Sequence, residues 1–218
     1  MAKATPVKPL LIMMYGFPGS GKSYFSRQMT EHLQIAHIQG DRIRGELFSE
    51  PRYDKQENAI VTQLMNYMTE EFLSAGVSVI YDDSTYRVSQ RMALRDIARK
   101  KIAVPLLIWL QIDADSTFVR LGKRDKRRTE DKYSRDYTEE EYAKMLGTLQ
   151  NPINEDFIVL SGKHTFPSQK SSVFKRLSEL GLISLITTQQ NVIKPGLVNL
   201  VPGSSGRVDM SRRNINIH

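Results

Sequence analysis

The stretch Gly16-Phe-Pro-Gly-Ser-Gly-Lys-Ser23 follows directly on the apolar run Leu10–Tyr15, and this junction limits the choice of fold more than any other feature. The glycines allow consecutive backbone N–H groups to turn inward around an anion. A helix opening near Lys22 aims its positive end at the same point, and Lys22 adds a full charge. Ser23 supplies a hydroxyl suited to a divalent cation. The apolar run, bounded by Pro9 and glycine, reads as a strand buried on both faces. The pattern G-x-x-x-x-G-K-[ST] thus sits between a strand and a helix, the context in which it holds phosphate.

Downstream, strands and helices alternate. The spacing predicts helices over 22–33, 54–75, 88–101 and 167–180, and strands over 35–38, 77–81, 104–112 and 157–160. Asp113 and Asp115 can cap a helix carrying a basic cluster, and Thr138 with Glu141 forms a capping-box signature. Alternation of this kind argues for an α/β fold of three layers, because each parallel pair of strands needs a crossover. Ligands of such sheets bind at the carboxyl ends of the strands. The loop at Gly16, then Asp41, then Asp82 and Asp83, then Ser161-Gly162-Lys163 all fall at such ends.

Composition narrows the function classes. No cysteine occurs in the 218 residues, which excludes disulfides, cysteine-ligated metals and thiol nucleophiles. The longest apolar runs fall far short of the roughly 20 residues of a membrane span. A cytoplasmic protein without a membrane partner is expected. The net charge of +7 favours polyanionic partners such as RNA or nucleotides. Arginines at 87, 91, 95 and 99 form one helical stripe, read here as a solvated outer face.

Hydrolysis and guanine-specific switching find little support. No Asn-Lys-x-Asp string ends a strand, and the third strand ends in Asp82-Asp83-Ser84 rather than Asp-Glu. Transfer to a hydroxyl fits better. Asp41 can take a hydroxyl proton, and Arg44, one helical turn later, can hold the acceptor or its phosphate. Asp41 can equally cap the helix ahead of Ile43. Asp82 or Asp83 can orient Mg²⁺ or grip the acceptor.

"GFPGSGKSYFSRQM", "GDRIRGELF" and "VIYDDSTYRVSQRMALRDIARK", with an arginine-rich stretch after the fourth strand, resemble the P-loop kinase family that includes polynucleotide 5′-hydroxyl kinases, zeta toxins, chloramphenicol phosphotransferases and seryl-tRNA kinase. The resemblance covers residues 8–180. It implies a P-loop NTPase fold of the nucleoside-kinase type, its five-stranded parallel sheet in the order 2-3-1-4-5. It also implies ATP and Mg²⁺, with Gly16, Pro18, Gly19, Ser20, Gly21, Lys22, Ser23 and Tyr24 cradling the nucleotide. Asp41 would be the general base and Lys22 a catalytic cation. Arg44, Asp83 and Arg87 would meet the acceptor, and Ser23 and Asp83 the metal. A lid over about 114–136 would close Arg124 and Arg128 over the phosphoryl group, those two sharing a helical face. Lys163, in the fifth-strand loop, would lie near the nucleotide. Where many relatives continue Asp83 with Thr-Asn, this chain has Ser84, Thr85 and Tyr86.

The expected organisation is a kinase domain over 1–181 and a small β-rich C-terminal extension over 182–218. Its short strands surround a Pro-Gly-Ser-Ser-Gly turn. The expected activity is phosphoryl transfer from ATP to a hydroxyl-bearing substrate, RNA and nucleotides included. The competing reading is an ATP-binding regulatory or nucleic-acid-binding module with no phosphoryl acceptor.

Overall fold

In the computed structural model, residues 3–83, 85–128 and 131–183 are described. They fall within the first of two units, Met1–Leu185, the second being Ile186–His218. Strands β1 (Leu10–Tyr15), β2 (Ile35–Gln39), β3 (Ser78–Asp82), β4 (Val104–Gln111) and β5 (Phe157–Ser161) alternate with helices α1 (Lys22–Thr30), α2 (Gly40–Leu47), α3 (Lys55–Ser74), α4 (Val88–Lys100), α5 (Ala114–Gly122), α6 (Glu139–Leu146) and α7 (Phe166–Glu179). The sheet order is β2-β3-β1-β4-β5, as the resemblance implied, and every pairing is parallel.

Alternation of side chains along β1 builds both layers. Leu10, Ile12 and Met14 pack with Phe25 and Met29 of α1 and Val173 and Leu177 of α7. Leu11, Met13 and Tyr15 face the other way, against Val61 and Met65 of α3 and Leu94 and Ile97 of α4. With a strand paired on each side and helices on both faces, all of β1 is buried. Full burial of such a side chain is worth about 1.5–3 kcal/mol. The phosphate loop therefore hangs from a strand buried along its whole length.

Several expectations need correction. The helix that the sequence allows Asp41 to cap is α2, only eight residues long with two glycines, and it starts earlier than that reading has it. Asp41 therefore lies in the first turn of α2, with Gln39 at the N-cap. Helix α5 ends at Gly122, capped by Lys123, so the basic cluster beyond it occupies turns. Arg124 and Arg128 do not share a helical face. The arginine stripe is not a solvated face either. Arg91 is 0% exposed, its Nη2 donating to Glu155 at 2.6 Å, while Arg99 remains on the surface. The capping residues Asp113 and Thr138 accept from Ser116 and Glu141 as expected. Of the expected C-terminal β extension, Ile183 forms an isolated antiparallel bridge with Pro6, and the remainder lies outside the described residues.

Candidate active site

The carboxyl ends of β1, β2 and β3 open onto a cavity of about 750 Å³. On the β1 side, Pro18, Gly19, Ser20, Gly21 and Lys22 form its wall, with Ser23 and Tyr24 of α1. Gly21 is left-handed, with φ of +99° at the N-cap of α1, a conformation that costs an L side chain energy and glycine almost none. The Lys22 ammonium turns back onto the loop, donating to the carbonyls of Gly16 at 2.7 Å and Phe17 at 2.9 Å. Burial pulls its pKa down to about 8, Asp82 opposing and Arg124 reinforcing the shift. The hydroxyl of Ser20 is buried in this wall without a hydrogen-bond partner. Such an orphan, beside inward-facing amides, fits an anionic oxygen.

Opposite the loop elements stand carboxylates. Asp41, at the start of α2, lines the cavity, and burial together with the charges of Asp83 and Asp82 raises its pKa to about 7. Asp82, at the end of β3, is 2.9 Å from Nε2 of His37. The next residue, Asp83, sets its carboxylate against the α-carbon of Gly40, where any Cβ would collide with it. Glycine at the β2–α2 junction is what lets Asp83 and Asp41 stand side by side.

A magnesium ion fits these donors only together with a nucleotide. Among the described residues no group of three or more His, Asp or Glu side chains could hold a metal unaided. Mg²⁺ commonly relies on one or two protein oxygens and the substrate's phosphates. Ser23 and Asp83, both on the cavity wall, supply that kind of partial set.

The other expected residues divide. Arg124 reaches the cavity, and its charge acts on both Lys22 and Asp41. Arg87 also lines it, at the N-cap of α4. Arg128 does not: it is exposed in a turn, its N–H donating to Asp125. Lys163 is likewise diverted, since its ammonium pairs with Asp113 at 2.8 Å while Gly162 and His164 line the cavity. Arg44 arrives at the wall with Nη1 donating to Glu57 at 3.2 Å and Nη2 to Asn58 at 2.6 Å.

Sequence reasoning missed the cavity residues Tyr53, Tyr86 and Tyr137, and placed Arg120 and Arg135 in the lid stretch without choosing them for the site. Lys22 Nζ lies 5.8 Å from the ring of Tyr86, and Arg120 donates to the Gly162 carbonyl at 3.1 Å. Tyr86, three residues past Asp83, could have been suspected from position. Tyr53 and Tyr137 carried no signal, and Arg135 only that of its place in the basic stretch, because folding brings the three together from separate segments.

Residues 11–152 match the AAA_33 family, described as an AAA domain. The chain belongs to this family. The AAA_33 domain spans the loop, Asp41, Asp83 and the arginine-rich turns, but not β5. Over 129 residues the chain is 30% identical to the adenylate kinase of Bacteroides thetaiotaomicron, covering 54% of this chain and 68% of that protein. It is also 30% identical over 93 residues to the L-seryl-tRNA(Sec) kinase of Methanococcus maripaludis. That match covers 42% of this chain, which spans only 36% of the kinase's length. In fold, the Mycobacterium tuberculosis APS kinase CysC, solved with AMPPNP and APS, superposes with a TM-score of 0.59 at 16% identity, over 78% of this chain and 98% of that one. Together these make it an AAA_33 domain with a P-loop kinase architecture.

Proposed function

We propose that this domain transfers the γ-phosphoryl group of ATP to a hydroxyl group of its substrate. The observation that carries the reading is the shared cavity: a phosphate loop on one wall and Asp41, its pKa near neutrality, on another. In the transfer, an Asp41 carboxylate oxygen accepts the acceptor's O–H proton as that oxygen bonds to the γ-phosphorus. The bond from phosphorus to the bridging oxygen breaks, ADP leaves, and Asp41 later returns its proton to solvent. Lys22 and the loop amides hold the nucleotide phosphates. Arg124 stabilises charge on the transferring group. Magnesium, when bound with the nucleotide, would neutralise phosphate charge, with Ser23 and Asp83 as its protein-side partners. The lack of an Asn-Lys-x-Asp string at a strand end supports ATP over GTP as the donor.

The test is transfer of label from γ-labelled ATP, with Mg²⁺, to a panel of RNA, DNA, nucleosides, nucleotides and sugars. Asp41→Asn should lower kcat by about 10²–10⁴, the range of general-base loss, and leave ATP affinity nearly unchanged. Undiminished turnover by Asp41→Asn would overturn the assignment. A second reading has a specific basis. The adenylate kinase similarity and the arginines at 44 and 135 favour a phosphate as the accepting group. A phosphate acceptor needs no base, and phosphorus NMR of the product separates a new ester from a new anhydride.

A further inference from the structure

On the cavity wall, three residues past Asp83, stands a phenol that the proposed transfer leaves unused, that of Tyr86. Its main chain is tightly held. The Gln150 N–H donates to the Tyr86 carbonyl at 2.8 Å, and Thr85 before it is fully buried, tied to β1 through the Met14 carbonyl and to α4 through Arg91. Met14 lies two residues ahead of Gly16, so the phosphate loop and the phenol share one mount. The Tyr86 ring packs against the core layer that contains Tyr15, Tyr81 and Leu94. Little of its freedom remains to be lost when a ligand arrives.

The two ends of this side chain meet different groups. Nζ of Lys22 lies over the ring, 5.8 Å from its centroid, close enough for a cation–π attraction. The hydroxyl answers to the opposite wall: burial, then Tyr137 and the carboxylates of Asp83, Asp41 and Asp82, push its pKa well above the ordinary phenol value. It therefore keeps its proton. A lysine or arginine facing three carboxylates would be drawn into ion pairs with them, whereas a neutral O–H remains able to donate to an anionic oxygen that enters. A bound triphosphate supplies such an oxygen. The lysine of a phosphate loop reaches the β- and γ-phosphates, and transfer carries the terminal phosphoryl group from beside Lys22 toward the acceptor at Asp41. The phenol flanks that path.

We propose that Tyr86 donates a hydrogen bond to an oxygen of the terminal phosphate of the bound triphosphate, and so distinguishes a triphosphate from a diphosphate. This rests on the reading of the loop as the seat of ATP. It does not depend on Asp41 as the base, because the terminal phosphate is present whichever group accepts it.

The full-length protein is titrated calorimetrically, with Mg²⁺, against ADP and against the β,γ-imido analogue of ATP, which keeps all the terminal oxygens and is not turned over. Tyr86→Phe removes the O–H alone and leaves the ring beside Lys22. It should weaken the analogue by about tenfold or more, the scale of a hydrogen bond to a charged group, and change ADP affinity by less than about twofold. Retained ADP binding also reports an intact phosphate loop. Equal weakening of both nucleotides would mean that the phenol serves structure only, and unchanged affinity for the analogue would mean that it makes no contact with the terminal phosphate. Either result overturns the proposal and leaves the ATP reading standing. A parent protein that bound neither nucleotide would defeat the ATP reading itself, and the role of Tyr86 with it.

Discussion

Asp41 and Lys22 titrate toward each other. A carboxyl raised to about 7 is ionised, and so able to accept a proton, only above that pH. An ammonium pulled down to about 8 carries its charge only below that pH. For the free enzyme, kcat/KM should therefore rise through pH 7, flatten, and fall past pH 8, and Asp41→Asn should remove the acid limb. Stability follows the same group with a definite sign. Folding raises the Asp41 pKa from 3.8, so its contribution is intact below that value and is lost as pH climbs through about 7. Asp41→Asn should thus gain on the parent protein as pH increases. Because the side chain still meets solvent in the cavity, the expected gain at pH 8 is about 2 kcal/mol rather than the full linkage value. Urea unfolding at pH 5 and pH 8 measures it, and an equal difference at both would sink the attribution.

At the scale of elements, the loop after β3 is what brings Asp83, Tyr86 and Arg87 to the cavity, and α4 anchors it. Arg91 donates from Nη1 to the Thr85 carbonyl at 2.8 Å and from Nε to Glu155 at 3.0 Å, and Thr85 donates to the Met14 carbonyl of β1 at 2.6 Å. Arg91→Ala would take away the fully buried partner of Glu155 and leave it only the Arg95 ion pair at 3.1 Å, a loss of about 3 kcal/mol, the low end of the range for breaking a buried pair. Thermal unfolding should show that cost, while kcat should fall by more than ATP affinity, because the loop loosens and the β1 wall does not. Whole elements announced by periodicity or by a local pattern were legible in the sequence: β1, the phosphate loop, α3, and the capping box of α6. Contacts across distance were not. Arg91 and Glu155 stand 64 residues apart, so an arginine stripe spaced by four could only be read as surface. Arg128 was misplaced because α5 stops at Gly122, and Lys163 because Asp113 captures it. That Asp41 lines the cavity was legible because its position at the tip of β2 is a property of chain order, whereas Arg135 reaches the same cavity only through its packing on Tyr53 and Tyr137.

Over the whole molecule, the net charge of +7 admits two accounts of nucleotide or RNA affinity. Either a diffuse basic surface attracts polyanions, or the cavity concentrates the excess. The wall favours the second: Lys22, Arg44, Arg120, Arg124 and Arg135 converge on a space that also holds Asp41 and Asp83. Ligand held there stabilises the folded state by mass action, by about 2.7 kcal/mol at a hundredfold excess over Kd. For a domain of this size that corresponds to a rise in Tm of about 5–10 °C. Thermal shift with Mg-ATP should therefore show such a rise, lost in Lys22→Ala and retained in large part at elevated salt, because buried pairs are screened less than surface ones. A surface-driven affinity predicts the reverse pattern: the effect would survive Lys22→Ala and collapse steeply with salt. Observing that pattern would move the function from the cavity to the surface and remove the ground for a kinase.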